Sequence, residues 1–176
     1  MNNVILLGFT ACGKSSIGAR LAEMTGRRFM DTDVLVEDLH VQRYGEALSC
    51  REIYARHGED LLRDLETEIV RSLPERADSV IATGGGVILR PENVDSLHRA
   101  GQCVFLDVPM DVLQARLHRR PASRLFSSKS AAEAYAERRP LYLSAADLHY
   151  TVKEWYGREG VVLGLLKRIN EARHGQ

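Results

Sequence analysis

"VILLGFTACGKSS", residues 4–16, sets a four-residue apolar run directly before Gly8-Phe9-Thr10-Ala11-Cys12-Gly13-Lys14-Ser15, which fits GxxxxGK[ST]. The pattern alone is short and arises by chance. Its setting decides the reading: an apolar strand leads in, and Ile17, Leu21 and Met24 then recur on one face of a helix. A strand, a glycine-rich loop and a helix make a phosphate cradle. The loop's backbone N–H groups turn inward around phosphate oxygens, and the positive end of the helix attracts the anion. On this reading Gly8, Ala11, Cys12, Gly13, Lys14, Ser15 and Ser16 contact a nucleotide. Lys14 reaches the β and γ phosphates, and the Ser15 hydroxyl serves Mg²⁺.

The remainder of the chain repeats strand and helix. Short continuous apolar runs at 4–7, 80–82, 104–106 and 148–152, with 29–30 as a further candidate, read as strands. Ile53, Leu61, Leu65 and Ile69 mark one intervening helix, and Val161, Leu165 and Ile169 a last one. This alternation predicts an α/β domain, a parallel sheet covered by helices on both faces. A chain of 176 residues fits one such domain, so residues 1–176 are expected to form a single unit.

Composition narrows the function. Lys and Arg total 24 against 24 Asp and Glu, so no net field draws nucleic acid or an anionic membrane, and neither is expected as a partner. No run reaches the roughly 18 apolar residues of a membrane span, and the amino-terminal run lacks the basic flank of a signal peptide. Three scattered cysteines, Cys12, Cys50 and Cys103, offer neither a disulfide framework nor a CxxC site, which points to a reducing cytoplasm. The six histidines show no HxxxH or HExxH pair.

The class of reaction depends on the other polar residues. The DxxG and NKxD patterns of GTPases do not occur. Asp107, after the apolar strand at 104–106, is read as a turn or helix cap before Pro109 rather than as a Mg²⁺ ligand. Asp31-Thr32-Asp33 is the better pair for metal and acceptor hydroxyl, with helix capping as its plain alternative. Arg63, in "GEDLLRDLE" (58–66), falls about 200° around the helix from Leu61, away from the core. Gly84-Gly85-Gly86 closes a strand with room for a ligand near the backbone. Arg119, Arg120, Arg124 and Lys129 make a basic loop, and "RRPLY" spans 138–142.

In order and rough spacing, these motifs resemble the shikimate kinase family from about residue 2 to residue 170. They are GxxxxGKS at 8–15, DTD at 31–33, GExxxRxxE at 58–66, GGG at 84–86, RP at 120–121 and RxPLY at 138–142. The resemblance implies a P-loop kinase fold with a substrate-binding region at about 33–62 and a mobile lid at about 117–131. It implies ATP-dependent phosphorylation of the shikimate 3-hydroxyl, giving ADP and shikimate 3-phosphate. Catalysis would fall to Lys14, Asp33 and Arg120, and Mg²⁺ to Ser15 and Asp31. Shikimate would be held by Asp33, Arg63, Gly84, Gly85, Gly86 and Arg138, the two arginines clamping its carboxylate. Arg120 would neutralise charge on the phosphoryl group, and Arg116 stands where the family stacks an arginine on adenine. A monomer is expected.

Three departures stand out. The stretch between Asp33 and Tyr54 exceeds the usual family spacing by roughly six residues, an insertion of the kind surface loops tolerate. Leu62 replaces a common phenylalanine beside the carboxylate-binding arginine, and "RPASRLF" (120–126) stands where RPLL is usual. Another small-acid or sugar-acid kinase of the same fold, such as a gluconate kinase, and a nucleotide-binding regulator without turnover are the alternatives. Cys12, flanked by Lys14 and inward-facing amides, is expected to be a more reactive thiol than Cys103, which is buried in a strand, with a merely small residue at position 12 as the plain alternative.

Overall fold

The structure is a computed structural model and describes residues 3–119, 129–152 and 157–174. Five strands, β1 (Asn3–Leu7), β2 (Arg28–Asp31), β3 (Ser79–Ala82), β4 (Gly101–Asp107) and β5 (Leu148–Thr151), form one sheet in the order β2-β3-β1-β4-β5. All neighbours run parallel, with Ile5 opposite Ile81 on one side and Cys103 on the other. Every strand expected from the sequence is present. β1 lies at the centre and every one of its residues is buried, as a continuous apolar run covered on both faces requires.

The helices are α1 (Lys14–Thr25), α2 (Thr32–Tyr44), α3 (Cys50–Ser72), α4 (Pro91–Ala100), α5 (Met110–Arg119), α6 (Ala131–Ala145) and α7 (Gly157–His174). α1 packs with α7 on one face, while α3, α4 and α6 cover the other. The chain leaves β1 toward β2, then crosses back past β1 to β4 and β5. That reversal at β1 opens a crevice at the carboxyl ends of the strands, where the loop after β1 lies.

Two expectations change. Met24 continues the apolar face of α1 but is exposed, because residues 23–26 all lie outside the core. The long stretch after Asp33 is helix rather than surface loop. Gly45 closes α2 in the left-handed region at φ 74°, and Ser49 opens α3 through a capping box with Glu52. Between them Leu48 packs with Val36, Ile53, Leu62 and Leu65 in a second, smaller core. Leu62 therefore fills the α2–α3 core.

At the opposite end of the sheet, buried Asn3 joins three segments. Its amide donates to the carbonyls of Arg76 (2.6 Å) and Ala100 (2.9 Å) and accepts from the Ser79 N–H (2.9 Å). Asn3→Ala would leave the Ala100 carbonyl and the Ser79 N–H buried without this partner, at a cost of about 2–4 kcal/mol. Urea unfolding checks this: the midpoint should fall while the slope stays unchanged.

Candidate active site

The loop between β1 and α1 takes its shape from backbone conformations that few residues adopt. Gly13 precedes α1 at φ 100°, which suits glycine, but Ala11 also has positive φ, at 61°, a strain of about 1–2 kcal/mol for a residue with a Cβ. Arg116, from α5, holds that turn in place: its Nη1 donates to the Ala11 and Cys12 carbonyls, both at 3.0 Å. The Arg116 guanidinium thus engages the loop itself. Lys14 is buried and folds back over the loop, with Nζ donating to the carbonyls of Gly8 (2.7 Å) and Phe9 (2.9 Å). Ser15 and Ser16 are exposed in the first turn of α1. Cys12 has no accessible surface, and a Cβ on Gly8 would come within 2.9 Å of its Sγ. This burial contradicts the expected reactivity of Cys12: the thiol fills space beneath the loop, out of reach of a reagent.

The acceptor-side residues come together around the turn after β3. Asp31 ends β2 and caps α2, its Oδ1 accepting the Asp33 N–H at 3.0 Å, so the capping alternative holds for Asp31. Thr32 is buried and its Oγ1 accepts from the Gly84 N–H at 2.9 Å. Asp33 stands beside the same glycine: a Cβ on Gly84 would lie 2.5 Å from Asp33 Oδ1. A Cβ on Gly86 would lie 2.1 Å from Arg63 Nη1, and one on Gly85 would touch the Thr10 N at 3.3 Å. Each glycine of the triplet thus makes room for a different partner.

Arg63 points away from the Leu61 side of α3 as expected, yet it is buried, because α3 is covered on both sides. The face opposite Leu61 points to the glycine triplet rather than to solvent. Arg63 donates to Glu66 at 2.7 Å and to Glu59 at 3.1 and 3.2 Å. Glu66 is itself buried, and no sequence argument gave it a role beyond a surface pair. Burial works against the Arg63 charge, but Glu66 and Glu59 more than offset it and hold the guanidinium ionised. On the far side, Arg138 Nη1 lies 3.4 Å from the Gly85 carbonyl and its guanidinium 5.9 Å from the Phe9 ring centre. Tyr142, fully buried, donates to the same carbonyl at 2.5 Å. The Gly85 carbonyl therefore braces α6.

Asp107 is not an isolated cap. It is buried at the end of β4 and bonded to Tyr135, Arg139 and His149. Arg120, Pro121, Arg124 and most of the expected lid lie outside the described residues. His98, Cys103 and Asp147 gather at the other end of β4, where His98 meets the Ala145 carbonyl and Asp147 accepts from the Cys103 N–H. Those bonds close the β4–β5 end, and the Cys103 thiol is pushed up to about 12 by burial and then by Asp147.

The acidity of Asp33 is strongly altered. Protein atoms crowding its carboxyl, then the charge of Asp31, push it up to about 7, with Lys14 pulling the other way. The carboxyl still touches solvent, so screening tempers the effect. A group poised there can accept a proton near neutrality. The folded state holds this proton more tightly than the unfolded chain, whose aspartates titrate at about 4. Its contribution is therefore complete below about pH 4 and is lost as pH rises through 7. Asp33→Asn should raise stability by about 1 kcal/mol at pH 8 and by nothing at pH 4. Thermal denaturation across that range would show a variant that gains stability only on the alkaline side.

Comparison with known proteins matches this geometry to a family. The shikimate kinase family model matches residues 10–166. The shikimate kinase of Geobacter metallireducens is 40% identical over 149 residues, 82% of this chain and 80% of that protein. That of Symbiobacterium thermophilum is 34% identical over 175 residues, 96% and 97% of the two chains. The structure of shikimate kinase from Acinetobacter baumannii in complex with shikimate superposes with a TM-score of 0.81 at 28% identity, covering 97% of this chain and 94% of that one. A gluconokinase from Sinorhizobium meliloti, at 19% identity and a TM-score of 0.56, shares the fold alone. With a family model that spans most of its length and relatives of this similarity, the chain belongs to the shikimate kinases.

Proposed function

We propose that the chain transfers the γ-phosphoryl group of ATP to the 3-hydroxyl of shikimate, as a cytoplasmic monomer. The observation that carries this reading is the glycine triplet: a single turn touches the phosphate loop through Gly85, the base candidate Asp33 through Gly84 and the carboxylate-binding candidate Arg63 through Gly86. All three cysteines are free thiols, which suits a reducing compartment.

Each residue then has a physical task. Lys14 leaves the carbonyls of Gly8 and Phe9 to follow the transferring phosphate. Asp33 orients the acceptor hydroxyl and takes its proton, a role that its raised pKa serves. Arg63 and Arg138 approach the triplet from α3 and α6 and hold the carboxylate between them. Glu66 keeps Arg63 aimed, and Arg120, outside the described residues, is the candidate for neutralising phosphoryl charge. Arg116 shapes the loop on which the nucleotide rests, and the adenine contact suggested by resemblance is secondary to that.

The oxygen donors Ser15 and Asp31 suit a hard cation, and the Asp33 N–H already orients the Asp31 carboxylate. They are the residues that would hold Mg²⁺. When bound, the ion supplies neutralisation of the β- and γ-phosphate oxygens.

ADP release with shikimate, quinate and gluconate offered separately tests the reading. Release should depend on shikimate. Arg138→Ala should weaken acceptor binding by about 2–5 kcal/mol and leave ATP binding little changed. Arg63→Ala should do the same but also destabilise the fold, since it strands Glu66. Equal ADP release with and without shikimate from folded protein would contradict the reading, and gluconate-dependent release would move the chain to the gluconate kinase class.

A further inference from the structure

Asp107 takes no part in the chemistry described above, yet few side chains in the molecule are so heavily bonded. Its carboxylate is 7% exposed. Oδ2 accepts from Arg139 Nη2 (2.7 Å) and Nε (3.2 Å), a forked contact, and lies 2.9 Å from His149 Nε2. Oδ1 accepts from the Tyr135 hydroxyl. Tyr135 and Arg139 are four residues apart on α6, so Asp107 grips two successive turns of one helix face.

α6 depends on that grip. Among its residues Ala134, Tyr142 and Ala145 are buried, and the largest of them, Tyr142, stacks on Phe105, so the apolar hold on the helix is concentrated after Pro140. Pro140 lies inside it and removes a backbone hydrogen bond between the two ends. What remains is a polar anchor at each half: Asp107 to Tyr135 and Arg139, and the Gly85 carbonyl to Tyr142. Arg138 lies between the anchors. Its surroundings are tied to the first of them, because Tyr135 meets the Phe9 ring edge-on at 5.3 Å and Arg138 lies over that same ring.

We propose that Asp107 is a positioning residue for the acceptor: by holding Tyr135 and Arg139 it sets the rotation of α6, and with it the place of Arg138 beside Gly85. This rests on the reading of Arg138 as a carboxylate ligand. The lever is short and sensitive. A rotation of about 10° moves a group about 6 Å from a helix axis by about 1 Å, enough to cost on the order of 100-fold in a positioned reaction. The charge that Asp107 needs for this task is secure. Burial opposes it, but the bonds from Arg139, Tyr135 and His149 prevail and hold the carboxyl below the usual range.

A double-mutant cycle separates positioning from general support of the fold. Asp107→Asn should raise the shikimate KM about tenfold and leave the ATP KM within about a factor of two. In an Arg138→Ala background it should add little, because the group it positions is gone. Tyr135→Phe, which removes one bond and keeps the ring against Phe9, should shift the shikimate KM in the same direction by less, with the same lack of additivity, and it carries the test if Asp107→Asn fails to fold. Additive increases in the double variant, or parallel rises in both KM values, would overturn the proposal while leaving Arg138 as the carboxylate ligand. An Arg138→Ala enzyme with an unchanged shikimate KM would instead remove that ligand assignment, and this proposal with it.

Discussion

The site depends on what Gly84 and Gly86 lack. A methyl group at 86 would fall 2.1 Å from Arg63 Nη1, and one at 84 would fall 2.5 Å from Asp33 Oδ1. Neither glycine needs a left-handed backbone; only space is at stake, unlike Gly13, where φ is 100°. The triplet follows β3, and the register of Ile81 against Ile5 sets it beside the loop that follows β1. A guanidinium and a carboxylate can therefore approach the phosphate loop closely enough to share one substrate.

That proximity fixes the electrostatics. Arg63 sits buried between Glu59 and Glu66, and Asp33 shares its surroundings with Asp31, Glu37 and Glu66 as well as Lys14. Crowding by protein atoms, and then like charges at one end of the sheet, raise the proton affinity of Asp33, while the paired arginine keeps its charge. Overall neutrality hides this local segregation, which is why the equal totals of acidic and basic residues did not reveal a site.

Some of this was legible in the sequence because local physics fixes it. A continuous apolar run before GxxxxGKS can only be a buried strand feeding a phosphate loop, and the five short apolar runs became the five strands. The glycine triplet announced a close approach, though not whose. Other features depend on tertiary packing. Arg63 lies on the face of α3 opposite its apolar stripe, and only the packing of the glycine triplet against that face buries it. Ser49 and Glu52 spell a capping box and Gly45 a helix stop, signals in the sequence that identify the long stretch after Asp33 as two helices and a turn. The network around Asp107 left no such trace, since it joins residues 28 to 42 positions away that meet only when β4, α6 and β5 assemble. The burial of Cys12 likewise follows from how the loop folds over itself.

The central claim is that the triplet's missing side chains seat the acceptor residues without governing the nucleotide. Calorimetric titration of Gly86→Ala bears on it most directly, with circular dichroism confirming the fold. The account predicts that shikimate affinity falls at least about tenfold as Arg63 is displaced, while ATP affinity in the presence of Mg²⁺ is retained. A folded Gly86→Ala protein that binds shikimate as tightly as the parent would contradict it.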